Sequence, residues 1–162
     1  IRGIMGLDMY VRRVDKWDKK TLSNFVSSVI KSNAYSVNGN SVEFNIDNYL
    51  KQYPTTGIPY GISDELCYWR KHPDLHGWMK TLFYDKGGSS DSDFNHDVVF
   101  LFEEDVEKLR EDIVNNNLPH TTGFFFGESY ADKKQKKSDL EMVELMKNSL
   151  SKDELIYYIS SW

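Results

Sequence analysis

The spacing of apolar residues changes period along this chain, and that change limits the folds open to it. From Gly6 to Val14, Leu7, Met9 and Val11 alternate with Asp8, Tyr10 and Arg12, the period of a strand with one face buried. From Glu103 to Asn117 the period is helical: Val106, Leu109, Ile113 and Val114 recur at helical steps behind an acidic first turn, where carboxylates suit the helix dipole. A similar stripe runs through Leu22, Phe25, Val26, Val29 and Ile30, with Asp18 or Thr21 as the cap. Another runs through Leu75, Trp78, Met79, Leu82 and Phe83. Both periods within 162 residues predict one α+β domain, with a small, mostly antiparallel sheet and helices packed on one face.

Punctuation residues place the remaining elements. Asn38-Gly39 between short alternating runs signals a hairpin, because both central residues of a type I′ turn need positive φ. Residues 54–62 hold two prolines and two glycines and read as a loop. Ser63, Asp64 and Glu65 resemble a helix start, and that helix should end at His72, since a residue before proline is pushed out of αR. Pro73 suits the first position of the next helix. Residues 86–95 are polar and Gly/Ser-rich and predict a mobile loop, followed by a short strand over 98–102. GFFFG, residues 123–127, reads as a buried strand or its edge. Residues 133–137 read as a charged turn, with Ser138 capping a helix over 139–150. Residues 155–162 close the chain as a strand.

Composition excludes several classes of function. The net charge of −5 opposes nonspecific nucleic-acid binding, which needs a basic footprint. No apolar run approaches the roughly 18–20 residues that cross a bilayer. Cys67 is the only cysteine, so no internal disulfide forms, and a reducing compartment, the cytoplasm, is the natural setting. The thiol itself reads as a small buried hydrophobe. No P-loop, dinucleotide-binding or zinc-protease signature occurs. His72 and His76 have the four-residue spacing of a helical metal pair, but Pro73 interrupts it, so no metal and no cofactor is expected.

One segment concentrates chemistry. Residues 67–78 bring two tryptophans, two histidines, an arginine, a lysine and an aspartate to a helix break. Arg70 can grip a carboxylate or phosphate through a bidentate fork, and Lys71 adds a second cation. Trp69 can stack on a planar ligand, and His76 can transfer protons near neutral pH. Asp8, on the polar face of the first strand beside Tyr10, can orient His76 or neutralise Arg70 if the two segments meet. The plainer assignments are that Trp78 is core, that Arg70 pairs with a nearby acid and that His72 caps backbone. Phe124, Phe125 and Phe126 fit a core run with one ring turned outward.

The leading expectation is a binding protein. It uses Trp69, Arg70, Lys71 and His76, with Asp8 and Tyr10, to hold an anionic, nucleotide-like ligand or an acidic host protein. The alternative is a metal-independent phosphoester hydrolase, with His76 as general acid/base, Arg70 stabilising charge and Asp8 orienting.

Four blocks, taken together, resemble a known family. They are Met5-Gly6-Leu7-Asp8-Met9-Tyr10, then Tyr68-Trp69-Arg70-Lys71 with Leu75-His76-Gly77-Trp78, then Leu118-Pro119 followed by GFFFG, and the closing Ser161-Trp162. Their order and spacing are similar to those of an uncharacterised family of small phage and prophage proteins. The resemblance spans nearly the whole chain. It implies a phage accessory protein acting in the bacterial cytoplasm, and it brings no activity or cofactor. Against shorter members, residues 17–60 look like an insertion carrying a helix and a hairpin. The domain would then run 5–162, with residues 1–4 upstream or added.

Overall fold

The computed structural model describes residues 6–33, 44–58, 60–123 and 132–162. In chain order it contains β1 (Asp8–Val14), α1 (Lys16–Asn33), α2 (Ile46–Gln52), a 3-10 turn (Tyr60–Ile62), β2 (Asp64–Arg70), α3 (Pro73–Asp85), β3 (Val98–Leu101), α4 (Glu103–Val114), α5 (Lys133–Ser151) and β4 (Leu155–Ser161). The four strands form one antiparallel sheet in the order β2-β1-β4-β3. The fold is α+β, as the change of period implied.

Alternation divides the sheet into two faces. Met9, Val11, Cys67, Trp69, Val99, Leu101, Ile156 and Tyr158 join the larger core with Leu75, Met79 and Phe83 of α3, Val106, Leu109 and Ile113 of α4, and Val143 and Met146 of α5. Burial of each such large aliphatic or aromatic side chain stabilises the fold by about 1.5–3 kcal/mol, so helices α3, α4 and α5 are held on this face. The opposite face carries a smaller cluster in which Leu22 of α1 and Ile46 and Leu50 of α2 cover Val14, Phe100, Leu155 and Tyr157. Lys19 ties this layer together. Its ammonium reaches Asp47 of α2 at 3.0 Å and Asp153, before β4, at 2.6 Å.

The structure departs from the sequence pattern in several places. Residues 64–70 form a strand, not a helix. Ser63-Asp64-Glu65 mimics a helix start locally, but pairing to β1 decides the conformation: Cys67 and Trp69 turn inward, while Asp64 meets Arg13 across the ladder at 2.6 Å. Helix α5 begins at Lys133, six residues before the expected helix, because the Asp132 side chain caps the Lys134 N–H at 2.7 Å. Ile46 opens α2, with Asn45 as its N-cap. Helix α1 starts before its expected caps, with Asp15 accepting from the Asp18 N–H at 2.9 Å. Its apolar stripe is only partly inward: Leu22 is buried, but Phe25 and Val29 are 62% and 43% exposed.

The polar loop before β3 is pinned by Phe94, which is fully buried. The expected hairpin at Asn38-Gly39 and residues 124–127 of the GFFFG run lie outside the described residues.

Candidate functional site

The β1–β2 ladder sets Asp8 opposite Arg70 and Tyr10 opposite Tyr68. All four side chains stand on the sheet face opposite the larger core, at the open corner beside the edge strand. The Tyr68 hydroxyl donates to Asp8 Oδ1 at 2.7 Å, and the Tyr10 and Tyr68 rings lie 5.2 Å apart at 45°. That hydrogen bond, together with partial burial and the Asp8 charge, pushes the Tyr68 phenol up to about 12. Tyr68 still exposes 39% of its surface.

Arg70 and Lys71 close this corner. The Arg70 guanidinium lies across Gly6, where an added Cβ would sit 3.0 Å from Nη2. Lys71 leaves the strand with φ of 53° while its N–H still donates to Leu7 O at 2.8 Å. This left-handed turn ends the ladder and sends the chain into α3. Both side chains are exposed, and among the described residues neither makes a hydrogen bond or an ion pair. Among the described residues, the corner thus presents two unpaired cationic side chains and two phenols around one carboxylate.

His76 and Trp69 are elsewhere. His76 is fully buried in α3 beneath the opposite face of the sheet. There its Nδ1 shares a hydrogen bond of 2.7 Å with the Tyr158 hydroxyl, and the Phe94 and Trp162 rings pack at 5.5 and 5.1 Å. Desolvation, helped by the Lys80 charge and opposed by Asp93, lowers the imidazole to about 4. Asp8 therefore cannot orient His76, because the sheet lies between them. His76 holds neither the position nor the proton affinity of a general acid/base. Trp69 is 5% exposed and its indole N–H donates to Asp139, so it cannot stack on an outside ligand. Cys67 and Trp78 are core residues, as their patterns implied. No group of three or more metal-ligating side chains exists among the described residues.

A second arrangement escaped the sequence reading. Asp139, 3% exposed on α5, faces His72 with 2.7 Å between Oδ2 and Nε2. Its Oδ1 accepts from Trp69 Nε1 at 3.2 Å and Gln135 Nε2 at 2.9 Å. An ionised carboxylate can only accept, so Nε2 is the ring nitrogen through which His72 donates to an ionised Asp139. Among the described residues its Nδ1 takes no hydrogen bond. The pair borders a cavity of about 490 Å³ between the start of α3, the end of α4 and the start of α5, with Ile113 and Leu118 on its apolar wall. One signal was present in the sequence: Asp139 falls on the same helical stripe as Val143 and Met146, and an acid on a buried stripe demands partners.

Comparison of the chain with protein-family models, with curated proteins and with solved structures finds no match.

Proposed function

We propose that this is a phage-type accessory protein that binds an anionic, nucleotide-like ligand at the open sheet corner formed by Tyr10, Tyr68, Arg70 and Lys71. The observation that carries this reading is, among the described residues, the pair of exposed, unpaired cationic side chains beside two neighbouring phenols in a chain of net charge −5. An arginine fork matches a phosphate or carboxylate, and an adjoining aromatic face accepts a planar ring. Asp8 serves as a strut: it fixes the Tyr68 hydroxyl and leaves the two cations in excess over one carboxylate. An acidic patch on a host protein would use the same chemistry. In this reading the protein works in the cytoplasm of an infected or lysogenic bacterium. Among the described residues, no helix is long and apolar enough to cross a membrane. Hydrolysis through His76 has no geometric support, for the reasons given above.

Thermal-shift titration with adenosine and guanosine mono- and triphosphates tests the proposal. The expected result is a concentration-dependent rise in Tm that Arg70→Ala abolishes. Equal shifts in wild type and Arg70→Ala, or none with any nucleotide, would remove the small-ligand reading.

A further inference from the structure

On the other side of the sheet, the His72–Asp139 pair has the parts of a positioned general base. We propose that the cavity it borders is a hydrolytic site for a neutral carboxylic ester, with His72 as the catalytic residue and Asp139 as its positioning residue. This site is independent of the anion-binding corner.

Asp139 is buried and held by three partners, Trp69, Gln135 and His72. Breaking such a network leaves an uncompensated buried charge. A carboxylate held from three sides fixes both the ring orientation and the tautomer of its histidine, as in acid–base–nucleophile triads. With Nε2 facing the carboxylate, Nδ1 is the ring nitrogen left for a molecule in the cavity, and in the neutral ring it carries the lone pair. His72 itself is only 8% exposed, so it is screened from bulk water while bordering a space of about 490 Å³, large enough for a small organic molecule.

The lining selects the substrate. Asp74, Asp132 and Asp139 oppose Lys133 and Lys136 around the cavity, and Lys136 is already committed to Val114 O at 2.7 Å. A phosphate dianion would meet more negative than positive charge there. A neutral ester meets no such penalty, and Ile113 and Leu118 supply an apolar wall for its acyl or alkyl part. Lys133, in the first turn of α5, supplies positive charge to the carbonyl oxygen as it becomes anionic.

The step balances without a further reactant. A water in the cavity gives a proton to His72 Nδ1 as its oxygen bonds to the carbonyl carbon. When the tetrahedral centre collapses, the bond from that carbon to the alcohol oxygen breaks. The imidazolium returns the proton to the leaving oxygen, giving a carboxylic acid and an alcohol.

The test uses the full chain and p-nitrophenyl butyrate. Wild type should turn the ester over well above the buffer rate, and His72→Gln should fall to that rate. Asp139→Asn should lower kcat on the order of a hundredfold or more with KM little changed, a split that a purely structural role would not give. Nucleotide added at concentrations that occupy the sheet corner should leave the esterase rate unchanged, which separates this site from the nucleotide-binding corner. Nitrogen-15 NMR of wild type should show the His72 proton on Nε2, and this measurement stands even if Asp139→Asn fails to fold. Turnover no greater than that of His72→Gln, or a proton resident on Nδ1, would overturn the proposal.

Discussion

Tyr68 donates its hydroxyl hydrogen to Asp8 across the β1–β2 ladder, so a tyrosine that is 39% exposed is held in its neutral form to an alkaline limit of about 12. The carboxylate is responsible twice over, as hydrogen-bond acceptor and as a like charge to the phenolate. Asp8→Asn removes the charge and weakens the bond. Ultraviolet titration should then show this phenol ionising at lower pH, nearer the ordinary tyrosine value of about 10, while Tyr158 stays silent in its fully buried site. An unchanged titration curve would mean that burial, not Asp8, sets the shift.

His76 makes stability fall in acid. Its pKa is lowered to about 4 in the folded protein, against an ordinary value near 6.5. Between these values the unfolded chain binds a proton that the native state does not. The contribution is therefore complete above about pH 6.5 and is progressively lost as pH falls through about 4. Its size is about 3 kcal/mol at most. Urea unfolding at pH 7.0 and 4.5 should show this loss in wild type, and His76→Gln should show a shallower dependence. Parallel slopes in the two proteins would move the effect to another group.

The difference between what was legible and what was not has a physical origin. Strand β1 was legible because Met9 and Val11 carry its burial in alternation, which correctly turned Asp8 and Tyr10 outward. Helix α3 was legible from its Pro73 start and its apolar stripe. Strand β2 was not, because Ser63-Asp64-Glu65 is a good helix start and only the partner strand, distant in sequence, decides otherwise. That error moved the site: on a strand Trp69 and Arg70 point to opposite faces, so one is core and the other is surface. His76 looked reactive because sequence shows residue type and not solvent access. Asp139 lay next to a run of lysines that suggested a solvated turn, and its partners His72 and Trp69 are about seventy residues away.

Cys67 should be inert in the native protein. It is 2% exposed, and burial, with the Glu65 charge adding to it, pushes the thiol up to about 12. Thiolate is the reactive form, so iodoacetamide at pH 8 should leave Cys67 unmodified over a time in which the urea-unfolded chain is fully alkylated. Labelling at the rate of the unfolded chain would show that the inward face of β2 opens readily.

Gly77 sets how closely the segment after α4 approaches α3. A Cβ at this position would fall 1.9 Å from Thr121 Oγ1 and 2.9 Å from Thr121 Cβ, while the Thr121 N–H is fixed to Asp74 Oδ1 at 3.0 Å. Within a helix, glycine to alanine alone favours folding by about 1 kcal/mol. Here the clash opposes that gain, since overpacking a closed contact costs about 1–3 kcal/mol. Gly77→Ala should therefore be destabilising or neutral, never stabilising. Thr121→Gly removes the clashing atoms, and adding it to Gly77→Ala should recover stability beyond the sum of the two single changes. Chemical denaturation of the four proteins of that cycle measures the coupling. A Gly77→Ala protein about 1 kcal/mol more stable than wild type, with no coupling to position 121, would show that the segment does not close on α3.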